Sequence, residues 1–420
     1  MTESTTKIAT AIATRTGTGA TPANSIREVF GADIYLQSRA IADYAFGATP
    51  EKPDPAREEE RKATYLKYHD ASRFFVAFAG DQPQATATIH KMTENVRGKV
   101  LPMGGIGGVA SLPAGRRQGH VRNLFVRLLE EMRADGQVVS TLYPFRESFY
   151  ERLGYATFAA PRYVTLDPAQ LAPLMRIPKA GSVEQQPMSD AWDLWRAYVE
   201  GFQEATHGFS LRDVSNDIRN RDENTWWVAF ARDQQGTIVG TMQFRITGYT
   251  KRLEAIPYFT TALGKYLLLD WIGRHVDQVS QASIRLAPTE YPDLWSHDLK
   301  ATTSTADETA WTGPAARIVS VEGLNGIGAG DGQIAVRIID DFAPWNSGVF
   351  TLIGRDGVLS ISPGGEEQAT LTIQGLSALV FAGQDPADVL YRGWGDVDDD
   401  ARVILRSLFP AAAPILHEQF

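Results

Sequence analysis

Apolar positions along the chain fall into short continuous runs separated by longer stripes at helical spacing, the pattern of a mixed α/β fold. Phe74 to Ala79 is a nearly unbroken apolar run and reads as a buried strand. Ala85 to His90 reads as its neighbour across the turn-like Gly80-Asp81, and Met103 to Ser111 as a further strand ended by Leu112-Pro113. A helix follows from about Gln118 to Gly136. Leu124, Phe125, Leu128, Leu129 and Met132 recur on one of its faces, and Gly136 stands where a C-terminal cap belongs. Val138 to Tyr143 is then a strand. Upstream, Ile26 to Val29 reads as a strand, Ile34 to Phe46 as a helix, and Glu58 to Lys67 as a charged helix or solvated loop.

From about Arg162 the order broadly repeats. Tyr163 to Leu166 opens as a strand, and Ser189 caps a helix carrying Trp192, Trp195, Val199 and Phe202. Trp226 to Phe230 and Thr237 to Ile246 alternate like a hairpin. Tyr258 to His275 reads as a helix and Ser283 to Leu286 as a strand. This hints at a second, degenerate copy of the first fold. From about Thr309 the chain is strand-rich, then helical near Leu376 to Ala382 and Asp398 to Phe409, where three successive aspartates favour a helix start. The division expected is a flexible tail over 1–24 and three domains over 25–161, 162–300 and 301–420. A length of 420 residues, at roughly 150 per domain, agrees.

Composition narrows the function classes. The net charge is -9, which argues against nucleic-acid binding by bulk charge and suits a cationic or neutral substrate. There is no cysteine, so disulfides, thiolate metal sites and a cysteine nucleophile are excluded. The seven histidines show no ligand spacing, so no metal is expected. No apolar run is long enough for a membrane span, and the Thr/Ala/Gly-rich start lacks the apolar core of a secretory leader. A cytoplasmic location is the expectation.

The chemistry concentrates in Val109-Ala110-Ser111-Leu112-Pro113-Ala114-Gly115-Arg116-Arg117-Gln118-Gly119-His120-Val121-Arg122. A strand leads into basic residues and a glycine, then into an amphipathic helix. The unpaired N–H groups at such a helix start, its dipole and three arginines make an anion site that fits a pyrophosphate. Just after the next strand comes Phe149-Tyr150-Glu151-Arg152-Leu153-Gly154-Tyr155. A phenol with an ordinary pKa of about 10 stays protonated at neutral pH and can donate to a departing thiolate. Tyr150 is the candidate acid, and Tyr155 reads as structural.

The loop resembles the Arg/Gln-x-x-Gly-x-Gly/Ala acyl-CoA site of the GNAT N-acyltransferases, with Arg116 and Gly119 in register and Val121 in place of the small last residue. Together with Phe-Tyr-x-x-x-Gly-Tyr, the length and the terminal Phe420, it resembles the Eis (enhanced intracellular survival) family. That resemblance implies two fused GNAT folds followed by a sterol-carrier-protein-like domain, a hexamer, and acetyl transfer from acetyl-CoA to amines of aminoglycosides, polyamines or lysine side chains. It implies that the backbone from Val109 through Ala110 to Ser111 binds the pantetheine arm, and that Arg116, Arg117, Gln118, Gly119, His120, Val121 and Arg122 hold the pyrophosphate. It also makes Tyr150 the acid and brings the Phe420 carboxylate to the acceptor amine. Gly108 stands where that family often has a bulky aromatic.

An α-carboxylate near pKa 3.5 facing an ammonium near 10 is uphill for direct proton transfer by about 6 units, roughly 9 kcal/mol, so Phe420 reads as an electrostatic anchor unless burial raises its pKa. The competing reading is a lipid or apolar-ligand carrier built on the third domain, with a vestigial CoA site. Gly323 to Gly332 imitates a dinucleotide fingerprint but opens a strand pattern, so it reads as a turn. Trp192, Trp195, Trp226 and Trp227 read as core.

Overall fold

A computed structural model of the protein describes residues 24–47, 54–305 and 313–416. The expected tail, the segment before Pro55 and the terminal Phe420 therefore fall wholly or largely outside the described residues.

The described residues begin with strand β1 (Asn24–Val29). Helix α1 follows, with a wider π-type stretch over Ile34–Arg39 continuing into Ala40–Ala45, and then α2 (Pro55–Lys67). Strands β2 (Ser72–Ala79), β3 (Gln82–Val96) and β4 (Lys99–Ser111) form an antiparallel meander. The β3–β4 turn has Arg97 and Gly98 both at positive φ, the geometry that matches strand twist in a two-residue hairpin. Helix α3 (His120–Ala134) buries the predicted stripe Leu124, Phe125, Leu128, Leu129 and Met132. Strand β5 (Val139–Leu142) returns parallel to β4, and α4 (Glu147–Glu151) and β6 (Ala156–Thr157) follow.

The central region comprises β7 (Arg162–Leu166), β8 (Gly181–Pro187), α5 (Met188–Ala205), β9 (Ser210–Arg212) and α6 (Val214–Glu223). It continues with β10 (Trp227–Asp233), β11 (Ile238–Ile246), β12 (Arg252–Phe259), α7 (Ala262–Gly273) and β13 (Gln281–Leu286). The antiparallel run β10–β11–β12, then α7, then β13 parallel to β12, repeats β2–β3–β4–α3–β5. The repeat read from the sequence is thus a repeat of topology.

Two details differ from the sequence reading. Ser189 is not the cap of α5: the helix begins at Met188, and the Ser189 N–H is satisfied by the Asn224 side chain at 2.9 Å. Tyr258 lies in β12, and α7 starts only after Thr261, whose hydroxyl accepts from the Gly264 N–H at 3.1 Å. A residue with its own capping hydroxyl ended the strand where apolar spacing alone had extended the helix.

The last region contributes β14 (Thr302–Ser304), β15 (Ala315–Ile318), β16 (Gly332–Ile339), β17 (Gly348–Arg355), β18 (Val358–Pro363) and β19 (Ala369–Thr372). Helices α8 (Ile373–Ser377, continuing as a π-type turn), α9 (Pro386–Tyr391) and α10 (Asp399–Leu408) pack with β20 (Gly395–Asp396). Asp398 caps α10 by accepting from the Ala401 N–H, as the aspartate run predicts.

The described residues form three sheets, ordered β1-β2-β3-β4-β5-β15-β6 with β9 beside β3, β14-β7-β13-β12-β11-β10-β8, and β18-β17-β16-β19-β20. The sheets exchange strands across the expected domain limits. β9 joins the first sheet from the central region, β15 joins it from the last, and β14 joins the second.

β15 ties the first sheet to the third region through one side chain. Arg317 is fully buried, pairs with the buried Asp340, and donates to the Leu153 carbonyl at 2.5 Å. Asp340 also accepts from Asn346 at 3.0 Å and from the Phe342 and Ala343 N–H groups. A buried pair is costly to make and costlier to break, because the surviving charge is left unpaired. Arg317→Ala is therefore expected to lower unfolding stability by about 3–5 kcal/mol, read as a fall in the urea midpoint. A shift below about 1 kcal/mol, the value of an exposed ion pair, would contradict this reading.

Candidate active site

Strands β4 and β5 pair in parallel only from Met103–Val139 to Ile106–Leu142. Beyond Ile106, β4 runs on to Ser111 without β5. There it also loses regular pairing with β3, where the register shifts between Thr86 and Thr88 and Gly108 takes φ +60. A Cβ at Gly108 would crowd the Thr88 hydroxyl at 3.2 Å, so glycine suits both the backbone and the space. Val109 packs toward the α3 core, Ala110 toward the opposite face, and Ser111 is half-buried. Gly104, earlier on β4, serves packing. A Cβ there would overlap Met132 and Gln137, so it lets α3 approach the sheet.

The loop after Ser111 is closed by the Gln118 side chain, which donates to the Ala114 carbonyl at 2.6 Å. Arg117 (φ +62) and Gly119 (φ +82) are both left-handed, and Gly119 is the N-cap of α3. That cap has no side chain, so nothing local satisfies the helix's first N–H groups, and a Cβ there would meet open space. Arg116 and Arg117 are exposed and make no ion pair with a described residue. These features fit a pyrophosphate: free N–H donors, the positive end of a four-turn helix and two unpaired guanidinium groups.

The other loop residues divide. Arg122 lies over the Phe342 ring at 5.3 Å, directed toward the third region. Val121 packs its side chain against the core, which leaves its N–H as its contribution. The His120 ring is buried and its Nε2 has no partner among the described residues; burial holds its pKa below the usual value. It lines a cleft of about 310 Å³ with Ser25, Asn123, Arg127 and Glu130, on the β1 side of α3.

Tyr150 is buried on the α3 face, in the same cluster as Ile106 and Leu142, where the strands part. Phe125, Phe145 and Phe149 surround its ring with centroids 5.1–5.8 Å away. Burial, with Tyr155 nearby, raises its pKa well above the ordinary phenol value. Its hydroxyl makes no hydrogen bond to a described residue, so the proton is held yet uncommitted. Tyr155 is occupied instead: its hydroxyl donates to Ser140 Oγ at 2.8 Å, which donates to the Gly104 carbonyl at 2.9 Å. Burial pushes the Tyr155 phenol up to about 12. Between the two tyrosines, Gly154 has φ +94, and a Cβ there would overlap the Arg317 guanidinium.

One group escaped the sequence reading. Glu94 on β3 is fully buried and reaches under the glycines of β4 to Thr141 on β5, whose hydroxyl donates to Glu94 Oε2 at 2.9 Å. Its Oε1 has no partner among the described residues. Burial raises its pKa to about 8, against the smaller opposing effect of Thr141. Ser140 faces α3, so by strand alternation Thr141 and Glu94 face the other side. A phenol that keeps its proton and a carboxyl that can lose one thus lie on opposite faces of the sheet, the phenol in the cluster at the parting and the carboxyl bonded to Thr141, one residue before the pairing ends.

Residues 414–416 dock on the central region. Pro414 packs on Gly208, the Ile415 N–H donates to the His207 carbonyl at 3.0 Å, and Arg285 donates to the Leu416 carbonyl. Phe420 lies outside the described residues.

The central region has the same parting, beyond Ala255 on β12 and Ile284 on β13, but it is filled. Leu268, Ile272, Leu286 and Trp295 leave about 20 Å³. Lys265 pairs with Glu290 at 3.2 Å, and Trp295 Nε1 donates to Glu290 at 2.8 Å. Thr261 caps the helix start that Gly119 leaves open in the first copy. Trp192 and Trp195 are core, as expected, whereas Trp227 is 44% exposed.

Residues 27–158 match the family described as an acetyltransferase (GNAT) domain, and residues 324–417 a sterol carrier protein domain. The whole chain follows the fold of solved N-acyltransferase structures. A probable N-acyltransferase from Enterococcus faecalis V583 superposes with a TM-score of 0.80 at 19% identity, over 95% of this chain and 100% of that one. A GCN5-related N-acetyltransferase from Kribbella flavida gives 0.79 at 20%, over 96% and 100%. Eis1 from Mycobacterium abscessus gives 0.74 at 15%, over 95% and 100%. No curated protein matches the chain. The protein is an enzyme of the N-acetyltransferase class. It carries its acetyltransferase domain at residues 27–158 and a sterol-carrier-type domain behind it.

The raised Glu94 pKa has a stability consequence. The folded state holds a proton that the unfolded chain releases near pH 4.3, so stability falls as pH rises from there to about 8 and levels off above. Glu94→Gln removes the titration while keeping the shape. Its Tm relative to wild type is expected to climb between pH 5 and pH 9; a difference flat across that range would contradict the assignment.

Proposed function

We propose that the chain is an Eis-type, acetyl-CoA-dependent N-acetyltransferase, acting in a ternary complex on a cationic amine of the aminoglycoside, polyamine or lysine class. The observation that carries this is the conjunction, on one face of one parting, of an uncapped basic helix start and a partner-free buried phenol. The net charge of -9 favours cationic acceptors.

Bound acetyl-CoA supplies an acetyl group activated as a thioester. The loop from Arg116 to Arg122 holds its pyrophosphate, and the β4 backbone from Val109 to Ser111 lies against the pantetheine arm and donates to the carbonyl oxygen as it gains charge. The amine nitrogen bonds to the acetyl carbon as the carbon–sulfur bond breaks; Tyr150 delivers its hydroxyl proton to the departing sulfur and regains one from the second proton that the nitrogen sheds. On the other face Glu94 takes the proton of the ammonium. A carboxyl near 8 facing an amine near 10 is uphill by about 2 units, roughly 3 kcal/mol, against about 9 for an ordinary α-carboxylate. Glu94 is therefore the better proton acceptor, which leaves the Phe420 carboxylate the role of an electrostatic anchor for the ammonium.

The sterol-carrier-type domain gives the alternative, a lipid carrier, its one support. Its interior weighs against it: Ile334, Val336, Leu352, Leu371, Leu376 and Leu405 fill the space beneath its sheet with side chains.

Thiol release from acetyl-CoA against neomycin-type aminoglycosides, spermidine and lysine peptides tests the reading. At least one class is expected to turn over, and Tyr150→Phe to lower kcat by roughly 100-fold with CoA affinity unchanged. Release with no amine, together with retained acyl chains on purification, would favour the carrier; full turnover by Tyr150→Phe would remove the acid role.

A further inference from the structure

Tyr150 sits in a helix of five residues, Glu147–Glu151, too short to hold itself and with no side-chain cap at its start. What holds it comes largely from the third domain. Glu151, next to Tyr150, accepts from Trp394 Nε1 at 3.0 Å on one carboxylate oxygen and from Arg392 at 3.2 Å on the other. The Glu151 carbonyl accepts from the Gln374 side chain at 2.8 Å. Arg392 stacks on the Trp394 ring at 4.1 Å, and Trp394 is itself buried. On the other side of Tyr150, Arg317, fixed by Asp340, takes the Leu153 carbonyl, and the Leu153 N–H donates back to the Tyr150 carbonyl at 2.9 Å.

We propose that the sterol-carrier-type domain serves the acetyl transfer as a positioning frame for the acid, with Trp394 as the positioning residue that aims Tyr150 through Glu151. The proposal rests on the reading of Tyr150 as acid. The grip on Glu151 is polar and directional where packing alone would have kept the helix buried. An N–H, a guanidinium and an amide from the third domain converge on one residue beside the reacting hydroxyl. None of the three residues belongs to the cofactor loop or bonds to Glu94, so their polar contact bears on the segment that carries Tyr150. The domain then needs no ligand of its own, which agrees with its filled interior.

The test is a double-mutant cycle on the full chain with Trp394→Phe, which keeps an aromatic ring and removes the N–H donor. The expected result is a kcat lowered between roughly 10-fold and 100-fold with the acetyl-CoA KM within about twofold, the cost of a displaced catalytic group. In a Tyr150→Phe background the same substitution should cost nothing further, because the frame acts only through that hydroxyl. Should Trp394→Phe fail to fold, Glu151→Ala, at a half-buried helix end, reads the same coupling. An unchanged kcat, or losses that multiply in the double variant, would overturn the proposal. Tyr150→Phe at the wild-type rate is a separate result: it removes the acid reading, and the frame with it.

Discussion

The architecture depends on two parallel strands that stop pairing. Where β4 and β5 separate, backbone N–H and C=O groups lose their ladder partners, and buried backbone groups left unpaired are costly. Either a ligand satisfies them or the chain does. This protein contains both solutions in one fold repeated twice. In the first copy the helix facing the gap starts at a glycine with no capping side chain, and neighbouring Arg116 and Arg117 pair with no described residue. In the second, Thr261 caps the helix, and Trp295 with the Lys265–Glu290 pair closes the gap to about 20 Å³, room for about one water. The difference between the open and the filled copy comes down to a cap, a tryptophan and an ion pair.

The three regions are interlocked by design of their sheets. β9 extends the long end of β3, and Asn95 there donates to the Gln203 and Glu204 carbonyls of α5. The β3–β4 turn inserts Arg97 among the carbonyls of Leu379, Val380 and Pro410, while its N–H donates to His207 Nδ1. That bond requires the His207 proton on Nε2, which donates to the Phe381 carbonyl, and burial keeps the ring neutral with a pKa of about 4. β15 completes the first sheet from the far side. The acetyltransferase domain therefore owes its closed edge, and the polar hold on the segment that carries Tyr150, to residues far along the chain.

What was legible in the sequence was local. The α3 stripe, the glycine at its start and the Phe-Tyr-x-x-x-Gly-Tyr run each carry their meaning within one turn or one helix face. The Gly154 of that run is explained by its φ and by Arg317 against it. What was illegible depends on distant packing. Thr93-Glu94-Asn95 falls beyond the strand read at Ala85 to His90, and Glu94 becomes a buried acid only in the fold, where β9 pairs beside it and Thr141 of β5 bonds to it. Ala315 to Ile318 is too short and too plain to announce that it closes the first sheet. Trp394 and Gln374 had no reason, before the fold was seen, to be connected with Tyr150.

Of the two partings, the open one fits a cofactor and the other is filled. Calorimetric titration of the full-length protein with CoA measures this directly. The account predicts one CoA bound per chain, weakened by salt and by Arg116→Ala, as a pyrophosphate held by unpaired guanidinium groups requires. Two bound per chain, or one that is indifferent to Arg116, would contradict it.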